Sequence, residues 1–227
     1  MPLVGGNLYA LEADVVDHKA LKAAAAEVSK ITGGTLDVLI NNAAKTTGRH
    51  YFTALTDLER REDELEEEAL ETYRVNVVGV MHTTNVFLPL LRAGPTKKII
   101  SISSAAADTE FIFKTNSKHM VVYAASKAAL NMVVAKYANQ LREDGFINVA
   151  VSPGIVNTEE TTIGSHEPPP GFQQALDSIK RGYPDWTPVA LTPKQSVESC
   201  LGTISRLEVK DNGAFVSEKG GTVLFED

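Results

Sequence analysis

Cysteine and long apolar runs are scarce in this 227-residue sequence. Cys200 is the only cysteine, so no disulfide can form within the chain, and a reducing compartment is expected. No run of about 18 apolar residues occurs, which excludes an ordinary membrane-spanning helix. The start of the chain lacks a basic segment, and Glu12 and Asp14 interrupt its apolar run, so no signal peptide is predicted. The expected location is cytoplasmic.

Basic residues are also in the minority. The chain has 22 of them against 29 acidic residues, which gives a net charge of −7. This balance argues against nucleic acid as the main partner. The 5 histidines do not have the spacing of metal ligands, so no metal site is predicted. The composition, 43% hydrophobic and 22% charged, suits one globular domain over residues 1–227.

Strand-like and helix-like patterns alternate along the chain. Apolar runs predict strands at residues 7–15, 36–41, 98–104, 146–152, 213–217 and 222–225. Helical patterns lie at about 17–29, 57–91, 124–141 and 192–207, with loops at 45–56, 105–120 and 153–192. This alternation predicts an α/β fold in which helices cover both faces of a parallel sheet.

Polar residues follow several of the predicted strands. They are Asp14, Asn41, Asn42, Ser103, Ser104 and Ser152. Because ligands of parallel sheets bind at the carboxyl ends of the strands, these residues predict one polar crevice. The long segment 157–193 is expected to shape the substrate pocket. Its aromatic residues Phe172, Tyr183 and Trp186 either line that pocket or anchor the segment.

Tyr123 and Lys127 form a candidate acid/base pair. Four residues separate them, which on a helix places both side chains on one face, one turn apart. A nearby ammonium favours the phenolate and therefore lowers the pKa of the phenol from its ordinary value near ~10. A bare YxxxK pattern is weak by itself, because a packed tyrosine and a surface lysine produce it as well.

Six short segments strengthen this interpretation. They are Asp14-Val15, NNAA at 41–44, VNVVG at 75–79, ISISS at 100–104, YAASK at 123–127 and SPG at 152–154. In these segments and their order the chain resembles the short-chain dehydrogenases/reductases, and among them a fungal type found near secondary-metabolite pathways. The resemblance implies a three-layer Rossmann-like sheet and an oxidoreductase that acts on a ketone or secondary alcohol. It also implies NADP as cofactor, with NAD as the alternative.

The resemblance assigns catalytic roles to four residues. Tyr123 matches the general acid/base that protonates the carbonyl oxygen, and Lys127 matches the lysine that lowers its pKa and binds the nicotinamide ribose. Asn76 matches the asparagine that holds a water on this lysine. Ser104 matches the serine that holds the substrate oxygen, with Ser103 as the alternative. A serine hydroxyl and a tyrosine proton are suitable donors to an oxygen that gains negative charge during hydride transfer.

The resemblance also implies cofactor contacts beyond Tyr123 and Lys127. They are Asp14, Asn41, Asn42, Arg74, Val156 and Thr158. Asp14 matches the acid that contacts the adenine, Arg74 falls where relatives have a basic contact, and Val156 and Thr158 match residues beside the nicotinamide carboxamide. The expected partners are a small carbonyl or alcohol substrate and further copies of the chain, in a homodimer or a homotetramer. Relatives form homodimers or homotetramers through helix 57–91 and the helix of YAASK.

One departure from the family is large. The glycine-rich motif T-G-x-x-x-G-x-G is absent from the sequence, together with the first two strands and the first helix of the family fold. Residues 7–15 then either pair directly with residues 36–41 or detach and leave an apolar edge. Because phosphate binding needs a free helix N-terminus, weak or absent cofactor binding is expected for this chain alone. An incomplete gene model, a shorter isoform and a cofactor-free derivative would each account for such a start.

Two further functions are compatible with these residues. A cofactor-free enzyme on the same scaffold would use Tyr123 and Lys127 for a non-redox reaction such as isomerisation or dehydration. A non-catalytic binding protein is the other alternative.

Overall fold

A computed structural model describes residues 7–46, 48–157, 172–184 and 190–221 of the chain. Within these ranges seven α-helices alternate with four β-strands. The helices are α1 (His18–Thr32), α2 (Glu62–Tyr73), α3 (Val80–Ala93), α4 (Thr109–Thr115), α5 (Val121–Gln140), α6 (Phe172–Gly182) and α7 (Pro193–Arg206). The strands are β1 (Val38–Asn41), β2 (Lys98–Ile102), β3 (Ile147–Ser152) and β4 (Phe215–Ser217).

The four strands form one parallel sheet in the order β1-β2-β3-β4. Ile100 of β2 is in register with Ile40 on one side and with Val149 on the other. All six residues of β3 are buried, as expected for a central strand with both faces covered. The sheet confirms the α/β fold with parallel strands and places the ends of β1, β2 and β3 along one edge.

Helices cover both faces of the sheet. On one face, Ile99 packs with Leu91 of α3 and with Phe146, which precedes β3. On the other face, Ile100 packs with Cys200 of α7. Burying an apolar side chain of this size contributes about 1.5–3 kcal/mol, so these two clusters hold the three layers together. The expected three-layer arrangement is confirmed.

Capping residues explain where several helices begin. The carboxylate of Asp17 accepts hydrogen bonds from the N–H groups of Lys19 and Ala20 and so caps the start of α1. Thr192 and Gln195 form a reciprocal capping box at the start of α7. In both helices the cap satisfies backbone donors that would otherwise lack partners.

The predicted strand at residues 7–15 is wrong. In this segment the structure shows only an isolated bridge at Tyr9, and within the described ranges β1 pairs with β2 alone. Residues 7–15 neither pair with residues 36–41 nor form a strand of their own. Instead Val15 packs against Gly79, the residue just before α3, so closely that a Cβ on Gly79 would lie 2.9 Å from Val15 Cγ2. The edge of β1 is left open, and Ile40 is 40% exposed there.

Three other predictions need correction. The expected loop 105–120 contains α4, because Asp108 caps a seven-residue helix within it. The expected irregular segment 153–192 contains α6. The expected helix 57–91 is interrupted by a π-helical turn, Arg74–Gly79, between α2 and α3. The predicted strand 222–225 lies outside the described residues.

Gly94 provides a test of the packing between α3 and β1. A Cβ at this position would lie 2.2 Å from the backbone oxygen of Leu36, just before β1. Because a backbone atom cannot move aside cheaply, we expect Gly94→Ala to lower the unfolding free energy by about 2–3 kcal/mol, measured by urea denaturation.

Gly202 in α7 is the matched control. A Cβ there would meet only Arg206 Nη1, at 3.5 Å. Gly202→Ala should raise the unfolding free energy by about 0.5–1 kcal/mol, because alanine is the better helix former. Equal stability of the two variants would contradict this description of the contact at Leu36.

Candidate active site

The structure brings Tyr123, Lys127 and Ser104 together at the carboxyl end of β2. Tyr123 and Lys127 lie one turn apart in α5, and Ser104 follows β2. The hydroxyl of Ser104 lies near enough to the Tyr123 phenol to influence its pKa, and Lys127 Nζ lies 5.8 Å from the centre of the Tyr123 ring. Two hydroxyl groups and one amine therefore meet in the crevice predicted from the sequence.

Lys127 is the most enclosed of the three residues. Lys127 is only 2% exposed, and its Nζ donates a hydrogen bond of 2.7 Å to the carbonyl oxygen of Ile102. Burial lowers the pKa of Lys127 to about 8, because desolvation disfavours the ammonium form. A substantial share of this amine is therefore neutral near physiological pH.

Tyr123 does not behave as the sequence predicted. Burial raises the pKa of its phenol, and the nearby hydroxyl of Ser104 opposes that shift without cancelling it. The expected lowering by Lys127 is wrong for this structure, because Nζ is directed to the carbonyl of Ile102 and lies over the face of the ring. The phenol accordingly keeps its proton at neutral pH.

The two candidate serines have different surroundings. Ser103 is buried, and its Oγ donates a hydrogen bond of 2.6 Å to Asn131 Oδ1. Ser104 is only half-buried and also caps a short 3-10 helix, Ala105–Ala107, by accepting from the N–H of Ala106. Since the hydroxyl of Ser103 is committed to Asn131, Ser104 is the better candidate for a substrate contact.

Asn76 acts as a clamp between three segments. It lies in the π-helical turn Arg74–Gly79 and is 1% exposed. Its Oδ1 accepts from the N–H of Lys45 at 2.7 Å, and its Nδ2 donates to the carbonyl of Lys45 and to Ser126 Oγ. Ser126 Oγ in turn donates to the carbonyl of Tyr123 at 2.7 Å. Asn76 therefore ties the segment after β1 to the first turn of α5, and its hydrogen bonds go to Lys45 and Ser126 and not to Lys127.

A shallow pocket of about 70 Å³ lies at the end of β1. It is lined by Val15, Ile40, Asn41, Asn42, Ala43, Val75, Gly79, Val80 and Thr83. Asn41 is buried, and its Nδ2 donates to Thr84 Oγ1 at 3.3 Å and to Ser101 Oγ at 3.4 Å. Asn42 is exposed on the rim. Asn41 thus shapes the pocket floor, and Asn42 remains available for a ligand.

The other expected cofactor contacts are more scattered. Asp14 is exposed, and its carboxylate accepts a hydrogen bond from the N–H of Val16. Arg74 is exposed and is not among the residues that line the pocket at β1. Val156 follows β3 and forms an isolated parallel bridge with Leu191. Thr158 lies outside the described residues.

A dinucleotide would fit this edge only in part. Tyr123 and Lys127 lie beside the end of β2, Val156 follows β3, and the small pocket lies at the end of β1, so all three positions are on the edge of the sheet where a dinucleotide would be expected. Helix α1 begins three residues after Val15 of that pocket, and the carboxylate of its N-cap residue Asp17 occupies its first N–H groups. A pyrophosphate would be repelled there, because an acid already takes the position that an anion needs.

Tyr51 is a site residue that the sequence did not reveal. It lies in the segment predicted only as a polar loop, yet its ring centre is 5.8 Å from that of Tyr123. Its carbonyl oxygen accepts a hydrogen bond of 2.7 Å from the N–H of Met120, which precedes α5 in a left-handed conformation with φ of 60°. In the sequence, the only indication that Tyr51 belongs to the site is that it is an aromatic residue in the loop that follows NNAA.

A larger polar cavity of about 230 Å³ lies between the segment after α4 and helix α6. It is lined by Asn116, Lys118, His119, Gln174, Asp177, Ser178 and Arg181. Beside it, Tyr183 is buried and stacks on Phe111, with ring centres 6.2 Å apart, so it anchors this part of the structure. Trp186 and the side chain of Phe172 lie outside the described residues.

Two kinds of feature are missing from the described residues. They contain no cluster of histidine, cysteine and acidic side chains with the arrangement of a metal site. Among the described helices, none combines the length and the hydropathy that crossing a membrane requires.

Comparison with known proteins extends these observations. The family model for short chain dehydrogenases matches residues 3–167. The chain is 41% identical to the short-chain dehydrogenase/reductase AacuF of Aspergillus aculeatus over 216 residues, covering 94% of this chain and 80% of that protein. It is 37% identical to the short-chain dehydrogenase/reductase atnB of Arthrinium sp, with coverage of 94% and 80%.

Solved structures show the same relationship. An NADPH-bound carbonyl reductase from chicken fatty liver is 28% identical, with a TM-score of 0.70 and coverage of 95% of this chain and 77% of that one. The carbonyl reductase Sniffer of D. melanogaster has a TM-score of 0.73 at 24% identity, with coverage of 96% and 78%. The second likeness concerns the fold alone.

The titration of Lys127 tests the description of this crevice. We expect a midpoint at about 8, against the ordinary value of 10.5, because the amine is buried. NMR of isotopically labelled lysine side chains measures it, and Lys127→Arg identifies the resonance by removing it. A midpoint above 10 would show that the amine is solvated.

The same burial predicts a pH dependence of stability. The folded chain binds this proton less readily than the unfolded chain between pH 8 and 10.5, so the cost of the buried charge disappears as the pH rises through that window. Lys127→Met removes this cost at every pH. The unfolding free energy of Lys127→Met minus that of the wild type should therefore be largest below pH 8 and should decline towards pH 10.5. A difference that grows with pH would contradict the burial of a charged amine.

Proposed function

The chain belongs to the short-chain dehydrogenase/reductase family of oxidoreductases, and we propose that it interconverts a ketone and a secondary alcohol with NADP(H). The observation that carries this proposal is the contact between Ser104 and Tyr123 at the end of β2, with the buried amine of Lys127 one helical turn away. Two neutral hydroxyl donors that converge on one point suit an oxygen that becomes negative during reaction.

Each of these residues has a separate task in the proposed reaction. Ser104 donates a hydrogen bond to the substrate oxygen and holds it in place. Tyr123 supplies the proton in the direction of reduction, and its raised pKa keeps that proton on the phenol until the oxygen becomes basic. Lys127, with a pKa of about 8, is able to return a proton towards Tyr123 from the interior of the crevice. A nicotinamide supplies the hydride when it is bound, because no side chain can do so.

Asn76 is proposed as a positioning residue for this reaction. Through Ser126 it supports the carbonyl of Tyr123, and through Lys45 it fixes the segment that leads from β1 towards Tyr51. This differs from the role that the family resemblance implied, which was to hold a water on Lys127.

The choice of NADP over NAD rests on one neighbour. The chicken carbonyl reductase, 28% identical to this chain, contains NADPH in its crystal structure. In this chain Asn42 on the rim of the pocket at β1 and Val156 after β3 are the proposed contacts for the two ends of the cofactor.

We further propose that the chain forms a homodimer through α2, α3 and α5. Leu70 of α2 and Met132 of α5 are 64% and 60% exposed, and Tyr73 beside Leu70 is exposed as well. Apolar side chains of this size on neighbouring helices favour association with another copy.

Tyr123→Phe tests the acid/base role. With NADPH at millimolar concentration and a panel of alkyl and aryl ketones, the substitution should lower kcat by roughly 10²–10⁴-fold, because the proton donor is lost. Tyr137→Phe is the control. The hydroxyl of Tyr137 donates to Asn85 Oδ1 at 2.7 Å, away from Ser104 and Lys127, so its loss should change kcat less than about twofold. Unchanged activity of Tyr123→Phe would rule out the proposed mechanism.

Cofactor affinity is the second test. We expect the 227-residue chain to bind NADPH more weakly than the micromolar range, because Asp17 already caps the N–H groups of α1, the helix that begins three residues after Val15 of the pocket at β1. Calorimetric titration measures the affinity, and micromolar binding would contradict the expectation. Product analysis with and without NADPH separates a redox reaction from an isomerisation or dehydration.

A further inference from the structure

Tyr51 and Phe52 form an aromatic wall beside the proposed proton donor. The ring of Tyr51 lies 5.8 Å from the ring of Tyr123, at an interplanar angle of 55°. Phe52 contacts Tyr51 edge to face, with ring centres 4.8 Å apart. Tyr51 and Phe52 are both half-buried, so part of the surface of each residue remains exposed.

The wall is held from two directions. On one side, the backbone N–H of His50 donates to Glu68 of α2, and the buried ring of His50 is hydrogen-bonded to Glu64 at 3.0 Å. On the other side, the carbonyl of Tyr51 accepts from Met120 at the start of α5. Because both sides of the loop are fixed, the ring of Tyr51 is presented in one position before any substrate binds, which lowers the entropy cost of binding.

The wall is also neutral. Burial, and then the neighbouring Tyr123, raise the pKa of the Tyr51 phenol well above its ordinary value. Tyr51 therefore offers an uncharged aromatic surface throughout the physiological range. It cannot replace Tyr123 as a readily exchanging acid/base.

The position of the wall relates it to the substrate. A carbonyl oxygen that accepts a hydrogen bond from Tyr123 lies about 2.7 Å from the phenol oxygen, and its carbonyl carbon is roughly 4 Å away. A group attached directly to this carbon, on the side where Tyr51 stands next to Tyr123, is within reach of the Tyr51 ring. Aromatic rings at such distances attract each other in tilted and offset arrangements by about 0.5–1.5 kcal/mol beyond the effect of buried area.

We propose that Tyr51 is a specificity-determining residue that selects ketones whose carbonyl is attached directly to a planar aromatic ring, or the corresponding aryl alcohols. This proposal rests on the proposed function, because it takes Tyr123 as the group that holds the substrate oxygen. Tyr51 provides the stacking face, and Phe52 fixes the orientation of that face by its edge contact.

A comparison of two ketones of similar size tests the proposal without requiring turnover. Acetophenone carries a planar ring, and cyclohexyl methyl ketone carries a saturated one. Their dissociation constants are measured by NMR titration with the wild-type chain, Tyr51→Leu and Tyr51→Phe, after circular dichroism has confirmed that each variant is folded. The wild type should prefer acetophenone. Tyr51→Leu should weaken acetophenone binding by roughly 2- to 12-fold, the factor that corresponds to the stacking energy, and change the saturated ketone less than twofold.

Tyr51→Phe is the matched control, because it keeps the ring and removes only the hydroxyl group. It should bind acetophenone within about twofold of the wild type. Equal binding of the two ketones by the wild type, or an aryl preference that survives in Tyr51→Leu, would overturn the proposal. Loss of the preference in Tyr51→Phe would assign it to the hydroxyl and would equally overturn the stacking role.

The result can be separated from that of the proposed function. If Tyr123→Phe reduced ketones normally, the proposed reaction would fail, whereas the binding preference at Tyr51 would still be measured directly. Conversely, a wild type that depends on Tyr123 for turnover but binds both ketones equally would retain the reaction and lose the aromatic selection.

Discussion

The buried amide of Asn76 is the interaction on which the site depends. Both hydrogens of its Nδ2 are used, towards Lys45 and Ser126, and Oδ1 accepts from the N–H of Lys45. An amide that forms three hydrogen bonds in a position of 1% exposure has no good alternative arrangement, because each unpaired group would cost about 1–3 kcal/mol. The segment after β1 and the first turn of α5 are therefore held in one relative position. The π-helical turn at residues 74–79 places this side chain where both segments can reach it.

Burial has opposite effects on the two titratable groups beside this clamp. It raises the pKa of Tyr123 and lowers that of Lys127, so both shifts favour the neutral form. Close association of a phenolate and an ammonium is therefore not the state that this structure stabilises. The crevice instead holds a phenol with its proton in place and an amine close to the midpoint of its own titration. A phenol that keeps its proton suits the role of proton donor that we propose for Tyr123.

The sequence predicted the fold where local pattern and tertiary structure agree. The apolar runs that became β2 and β3 have both faces covered, so their composition alone marked them as buried strands. Tyr123 and Lys127 were recognised because four residues of helix place them together. Residues 7–15 were misjudged because strand formation requires a neighbouring strand, and Val15 packs against a helix instead. The contact between Tyr51 and Tyr123 could not be inferred, since it joins residues 72 positions apart through a loop with no periodic pattern.

The backbone of Met120 connects the loop proposed to select the substrate with the helix that carries the proposed proton donor. A left-handed conformation is unfavourable for a methionine by about 1 kcal/mol or more, and it persists here immediately before α5. Two short backbone hydrogen bonds offset this cost, one from Met120 to the carbonyl of Tyr51 and one from Ala124 to the carbonyl of Met120. The first of them belongs to the loop that carries the aromatic wall. New substrate preferences cannot be introduced by freely exchanging this loop, as they can in enzymes whose specificity loops are independent modules. Here a donor loop must also supply the acceptor that keeps the beginning of the catalytic helix in place, so specificity and catalytic geometry would be inherited as one unit.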